Sequence, residues 1–228
     1  MICIGHRGAA GHAPENTLAS VEKAISLGSD WVEVDVRCVE SELLVIHDER
    51  LERTTNGSGY VAEQSLKYLR SLDAGSGEKI PFLYEVFDLV NFRVGINVEL
   101  KSPGTAAPVV SLINRYVEER GWDYRQILVS SFNHHELQQV KRLEPRILTG
   151  ALILALPLHY ARFAEELGAH AVHPGSEFIN REFVEDAHRR GLKVFVYTVN
   201  HPDDLLRMQA LGADGVFTDY PEIVKSET

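Results

Sequence analysis

Apolar residues along this chain follow two alternating rhythms. Short strand-like runs occupy 2–5, 31–37, 42–47, 94–100, 127–131, 147–152, 170–173, 193–199 and 214–218. Between most of them lie stretches whose apolar positions fall three or four apart, the period of a helix. Leu18, Val21 and Ile25 line a first helix, which Asn16 or Thr17 can cap behind Pro14. Further helices are expected over 105–120 (Val109, Val110, Ile113, Val117), 134–144 (Leu137, Val140, ended by Pro145), 157–167 (Tyr160, Phe163, Ala164, Leu167), 179–190 and 202–211. Gly28, Gly121, Gly168, Gly191 and Gly212 each separate a helical stretch from the strand after it. A left-handed residue that closes a helix favours glycine there, because a Cβ would clash. Helix, glycine and strand in repetition mean βα units and a parallel sheet.

Nine runs reduce to eight parallel strands. Only about four residues around Glu40-Ser41-Glu42 join the second run to the third, and a parallel crossover needs about a dozen. Those two runs therefore form an antiparallel hairpin. Eight parallel strands with helices between them close into an α/β (β/α)8 TIM barrel; an open, doubly wound sheet is the alternative. Residues 48–80 fit neither rhythm. They hold the turn-rich Arg53-Thr54-Thr55-Asn56-Gly57-Ser58-Gly59 and then a short helix-like stretch, and are expected to form a small insertion over the barrel mouth of a single domain spanning 1–228.

Composition narrows the class of partner. At 228 residues, 44% hydrophobic and 25% charged, the chain is an ordinary globular protein with enough length to bury a large core. A net charge of −10 would repel a phosphate polymer, so nucleic acid is not an expected partner. A local cationic site can still take a small anion. No apolar run of about 18 residues predicts a membrane span, and no leader pattern precedes the first strand. Cys3 and Cys38 supply no disulfide framework. A reduced, cytoplasmic protein is the expectation. Apolar positions are too scattered to define a dimer surface, which leaves the oligomeric state open.

Strand alternation decides which charges meet. Val32, Val34 and Val36 share one face, and Glu33 and Asp35 the other. From Val94 to Lys101 the pattern repeats: Val94, Ile96, Val98 and Leu100 oppose Asn97, Glu99 and Lys101. In a barrel the valine face packs on helices, so the charged face points inward. Three carboxylates crowded together are costly to desolvate, and a divalent cation relieves that cost. An all-oxygen set suits a hard ion, Mg²⁺ or Ca²⁺, rather than zinc. His6 and His47 each follow an apolar strand directly, beside Arg7 and Asp48. Such a pair can accept and donate protons near neutral pH. Arg7 and Lys101 serve equally as salt-bridge partners for the acids or as clamps on a phosphoryl group. Phe132 and Tyr197 are candidates for an apolar wall. His173, before Pro174, is a lesser candidate at the rim.

His6-Arg7-Gly8, Pro14-Glu15-Asn16-Thr17, Glu33-Val34-Asp35-Val36, His47-Asp48, Arg53-Thr54-Thr55-Asn56-Gly57, Glu99-Leu100-Lys101, Ser131-Phe132, Thr198-Val199-Asn200 and Thr218-Asp219 occur in that order. Together they resemble the glycerophosphodiester phosphodiesterase family over essentially the whole chain. The resemblance implies a barrel with an insertion after the hairpin, and a divalent ion on Glu33, Asp35 and Glu99. It implies His6 and His47 as the acid–base pair, Arg7 and Lys101 on the phosphate, and hydrolysis of glycerophosphodiesters to glycerol 3-phosphate and an alcohol. Two positions depart from the pattern. Tyr197 stands where tryptophan is frequent, and Ser41-Glu42 where an Asp-Gly pair is common. Two rival readings remain. A lysophospholipase-D-like enzyme would need a greasy entrance, for which Tyr60, Leu66, Tyr68 and Leu69 are the candidates. A non-catalytic barrel that binds a phosphorylated ligand would need no acid–base pair.

Overall fold

A computed structural model describes residues 1–225; the last three residues of the expected 1–228 domain lie outside the described residues. The parallel strands are β1 (Ile2–Gly5), β2 (Trp31–Val39), β4 (Gly95–Leu100), β5 (Ile127–Ser131), β6 (Leu148–Ile153), β7 (Ala171–Pro174), β8 (Lys193–Val196) and β9 (Gly215–Thr218). They neighbour in the order β1-β2-β4-β5-β6-β7-β8-β9, and β9 pairs with β1. This closure is the barrel, and it rules out the open sheet. β3 (Glu42–Val45) runs antiparallel to the end of β2, pairing Val36 with Val45 and Val39 with Glu42.

The helices are α1 (Leu18–Ser26), α2 (Leu66–Ser71), α3 (Leu83–Val90), α4 (Ala106–Arg120), α5 (His134–Leu143), α6 (Arg162–Glu166), α7 (Arg181–Arg189), α8 (Pro202–Leu211) and α9 (Glu222–Lys225). α3 is absent from the helices expected above. Its signal is plain in the chain, since Leu83, Val86, Phe87 and Val90 repeat at the helical period and are all buried. α6 is shorter than the expected 157–167 because residues 154–160 form a loop. The five glycines that punctuate the units all have positive φ, between 63° and 90°. No helix of the described residues is long and apolar enough to cross a membrane.

The two faces of the strands sort as alternation requires. Val32, Val34, Val36 and Val98 lie in the large core between barrel and helices, with Phe87, Ile113 and Phe183. A smaller cluster, Ile4, Leu128, Ala171, Phe195 and Phe217, fills the barrel interior. A third, built from Leu51, Val61, Leu69, Leu72 and Ile80, packs residues 48–80 onto Leu44 and Ile46. The insertion is thus fastened by its own buried contacts to the hairpin that carries His47.

The two residues that turn the hairpin are Glu40 and Ser41, one place earlier than the Ser41-Glu42 of the family comparison. Both have positive φ, 49° and 70°. A two-residue turn of this kind favours Asn-Gly, and other residues lose about 1–2 kcal/mol each in the left-handed region. The double change Glu40→Asn with Ser41→Gly should raise the unfolding free energy by about 1 kcal/mol, read as a higher urea midpoint with an unchanged slope. A lower midpoint would show that the turn is not strained.

Candidate active site

The candidate side chains collect where the parallel strands end. Register does the first part of the work. β2 and β4 pair so that Asp35 lies beside Glu99 and Glu33 beside Asn97. Carboxylate oxygens of Glu33, Asp35 and Glu99 lie within 4.8 Å of one another, and all three residues are buried. Lys101 Nζ donates to Glu99 Oε1 at 2.6 Å and lies 3.5 Å from Asp35 Oδ1. The Asn16 amide donates to Asp35 Oδ2 at 2.8 Å, and its oxygen accepts the Asp35 N–H at 3.0 Å. Thr17, not Asn16, is the N-cap of α1, which releases the Asn16 side chain for this contact.

These surroundings drive the carboxyl groups apart. Burial raises Glu33 well above the ordinary glutamate range, and the charges of Asp35 and Glu99 add to the rise. Burial also raises Glu99, with Asp35 adding and Lys101 opposing. For Asp35, burial is outweighed by Lys101 and Arg7, and it titrates below the ordinary value.

Three buried polar atoms here have no hydrogen-bond partner: Glu33 Oε1, Arg7 Nε and, on the strand beside Glu33, Asn97 Oδ1. The other Glu33 oxygen accepts the Arg7 backbone N–H at 2.7 Å. Arg7 Nε lies 3.3 Å from Asp35 Oδ2, close enough for charge attraction but unaligned for a hydrogen bond. Buried polar atoms are rarely left so. An orphaned carboxylate oxygen among three acids fits an oxygen-ligated divalent cation, and an orphaned guanidinium N–H beside it fits an anionic oxygen.

Both histidines are held the same way. His6 Nδ1 meets Asp219 Oδ1 at 2.7 Å, and His47 Nδ1 meets Asp48 Oδ1 at 2.6 Å. An ionised carboxylate only accepts, so each Nδ1 carries the hydrogen and each Nε2 is left as the second ring nitrogen, outside that contact. Both carboxylates stay ionised. Hydrogen bonding from Arg53 holds Asp48 far below the ordinary aspartate range. Burial pushes Asp219 up, but the His6 hydrogen bond and charge leave it lowered. Asn200 steadies Asp219 through its amide (2.6 Å to Oδ2) and through its oxygen, which accepts the Asp219 N–H at 2.9 Å. Arg37 donates twice to the His47 carbonyl, at 3.0 and 2.8 Å. Burial pulls His47 below the ordinary imidazole value, against the opposing influence of Asp35 and Asp48.

These groups border a cavity of about 280 Å³ lined by His6, Arg7, Glu33, His47, Glu99 and Lys101 on one side and by Phe132, Leu152 and Tyr197 on the other. Phe132 and Tyr197 meet edge to face at 5.8 Å. The Tyr197 hydroxyl donates to the Ile153 carbonyl at 3.0 Å, so its hydrogen is committed to the wall. His173 does not reach the rim. It is fully buried inside the barrel against Phe195 and Phe217, where desolvation pushes it down to about 3.

A model of the glycerophosphoryl diester phosphodiesterase family matches residues 6–223. The chain belongs to this family. A glycerophosphodiester phosphodiesterase of Caldanaerobacter subterraneus subsp. tengcongensis is 39% identical over 239 residues, which cover 97% of this chain and 95% of that one. Another from Bacillus subtilis is 33% identical, covering 98% and 85%. Among solved structures, a phosphodiesterase of Oleispira antarctica in complex with the product sn-glycerol-3-phosphate superposes with a TM-score of 0.91 at 34% identity, covering 99% of this chain and 96% of that one. Family membership agrees with the resemblance read from the motifs. Those motifs also contain Glu15, Asn16, Asp48, Arg53, Asn200 and Asp219, to which the sequence attaches no contact. Only the fold reveals which partner each one meets.

Proposed function

We propose that this phosphodiesterase hydrolyses glycerophosphodiesters to glycerol 3-phosphate and a free alcohol, with a divalent cation held by Glu33, Asp35 and Glu99. One observation carries the reading. Two imidazoles, each with Nδ1–H tied to a carboxylate, border the same cavity as the unpaired Glu33 oxygen and the unpaired Arg7 N–H. When bound, Mg²⁺ or Ca²⁺ supplies Lewis acidity at the phosphate and neutralises the crowded acids. Arg7 and Lys101 hold the phosphate and meet the negative charge that grows on its oxygens. One histidine takes the proton of the attacking hydroxyl through Nε2, and the other delivers a proton to the leaving alcohol oxygen. Phe132 and Tyr197 shape the apolar side. We take the whole chain as one catalytic unit, with 48–80 its insertion at the mouth, in the cytoplasm, where two free cysteines are at home. A bare phospho-ligand receptor would have no use for two oriented imidazoles.

The direct test is a panel of glycerophosphodiesters scored for glycerol 3-phosphate release, with and without added metal. Binding without turnover in metal-replete buffer would overturn the reading.

A second reading, cleavage of lysophospholipids, is favoured by the loop after β6. Leu69 is buried and Leu66 partly so, which leaves the insertion Tyr60 and Tyr68 as its large exposed apolar groups. The candidates for an apolar entrance are then the leucines of this loop. Leu154, Leu156 and Leu158 are exposed, Leu158 by 95%, and so is Phe132, just past the end of the neighbouring strand β5. β6 is four strands from β1 in either direction, so this ledge faces the histidine side across the mouth. Exposed apolar groups clustered at a site mark what it binds. The triple change L154S/L156S/L158S should lower kcat/KM for a lysophospholipid by about tenfold, as expected for losing roughly 1.4 kcal/mol of apolar contact. A short-chain diester should be unaffected. Equal losses on both substrates, or none on either, would remove the ledge from substrate binding.

A further inference from the structure

Arg53 lies in the insertion, outside the strands of the barrel, and its side chain is half exposed. Yet its guanidinium grips two carboxylates at once. Nε donates to Asp48 Oδ2 at 2.6 Å and NH2 to Asp48 Oδ1 at 2.9 Å. NH1 donates to Glu15 Oε2 at 2.6 Å and NH2 to Glu15 Oε1 at 2.7 Å. Each carboxylate then passes the contact inward. Asp48 Oδ1 accepts from His47 Nδ1, and Glu15 Oε1 accepts from Arg7 NH1 at 2.7 Å. One planar fork therefore fixes the outer partner of both an imidazole and a guanidinium at the cavity.

We propose that Arg53 is a positioning residue for the reaction. It holds Asp48 and Glu15 so that His47 keeps its Nδ1–H outward and Nε2 toward the cavity, and so that Arg7 presents its unpaired Nε beside the carboxylates. Stability alone does not single out the arrangement, because ion pairs through a half-exposed arginine contribute little, and a bidentate network only somewhat more. Geometry does: a misplacement of about 1 Å in a catalytic group can cost about a hundredfold in rate. Lysine cannot replace the fork, since an ammonium is a point donor that cannot grip two carboxylates in this way. The insertion thereby becomes part of the catalytic apparatus rather than a cover. The role of His47 and Arg7 rests on the function proposed above; the orienting of their side chains does not.

The experiment compares R53A and R53K with the parent by three readouts. The first is the 15N–1H spectrum of the His47 ring. The parent should show the Nδ1–H form, and both variants should show mixed tautomers or exchange. The second is steady-state hydrolysis of a glycerophosphodiester. kcat should fall about 10–100-fold in both variants, with a smaller change in KM, and R53A/D48N should be no slower than D48N alone. The third is the urea midpoint, which should fall modestly, by far less than the loss in kcat expressed as the same fold-change. Parent-like kcat in R53A, full rescue by R53K, or an unchanged His47 tautomer would overturn the proposal. If the parent released no glycerol 3-phosphate, the function would fail while the ring spectra would still decide the positioning.

Discussion

Replacing either His6 or His47 by alanine should lower kcat by about 10²–10⁴ while leaving the fold intact. Each side chain lines the cavity, and each is fixed through Nδ1 by a carboxylate that is itself tied down, Asp219 by Asn200 and Asp48 by Arg53. The expected loss reflects removal of proton transfer, so the two substitutions should not add independently when both proton transfers occur in one step. Asp219→Asn should imitate part of the His6 defect. An amide can meet Nδ1 with either its oxygen or its NH₂ and no longer enforces one tautomer. The measurement is single-turnover hydrolysis of a glycerophosphodiester by H6A, H47A and D219N. Near-parent turnover in H6A or H47A would remove that histidine from the reaction.

The second large effect concerns the acidic cluster, where stability and activity should move in opposite directions. Glu33 titrates above its ordinary value of 4.5 because burial and two neighbouring carboxylates oppose its charge, and Glu99 is raised as well. A raised carboxyl binds its proton more tightly folded than unfolded. Its stabilisation is complete below about 4.5 and is lost as pH rises through the folded value. Asp35 is lowered, so its contribution is present above its ordinary 3.8 and is lost only as pH falls through its folded value. In metal-free protein the contribution of Glu33 and Glu99 should therefore be lost from about pH 4.5 toward neutrality, while His173, buried neutral, contributes in the opposite direction over the same range. Saturating Mg²⁺ or Ca²⁺ should reverse the trend, adding about 2.7 kcal/mol at a hundredfold excess over Kd. Glu33→Gln removes one buried charge, so the chelated variant should be more stable at pH 7, by about 1–3 kcal/mol. The same variant should lose metal-dependent stabilisation and most of its activity. Melting curves across pH, with chelator and with metal, check this. A Glu33→Gln curve in chelator that shows no gain over the parent at pH 7 would contradict it.

Much of this site is written in the local pattern of the chain. A period of two placed Glu33, Asp35, Glu99 and Lys101 opposite the valine face, and parallel pairing then had to bring them together. The same reasoning located His6 and His47 at strand ends. What local pattern cannot carry is partnership between distant residues. His6 finds Asp219 across 213 positions and Arg53 finds Glu15 across 38, and no periodicity links them. Asn16 reads as a helix cap because it precedes an amphipathic run, yet Thr17 takes that place and Asn16 serves Asp35. His173 follows an apolar strand as His6 does, but Gly150 leaves its ring room inside the barrel, where it packs as a neutral core group. Of the exposed leucines after β6, Leu158 lies inside the helix expected over 157–167 and Leu154 and Leu156 just before it, so their exposure emerges only once the chain is folded.

Calorimetric titration of chelator-treated protein with Mg²⁺ or Ca²⁺, run beside turnover of a glycerophosphodiester, addresses the central claim most directly. One ion should bind per chain, turnover should return in step with its occupancy, and E99Q should lose both. Full turnover after rigorous metal removal, or unchanged uptake of the ion by E99Q, would contradict a cation held by Glu33, Asp35 and Glu99.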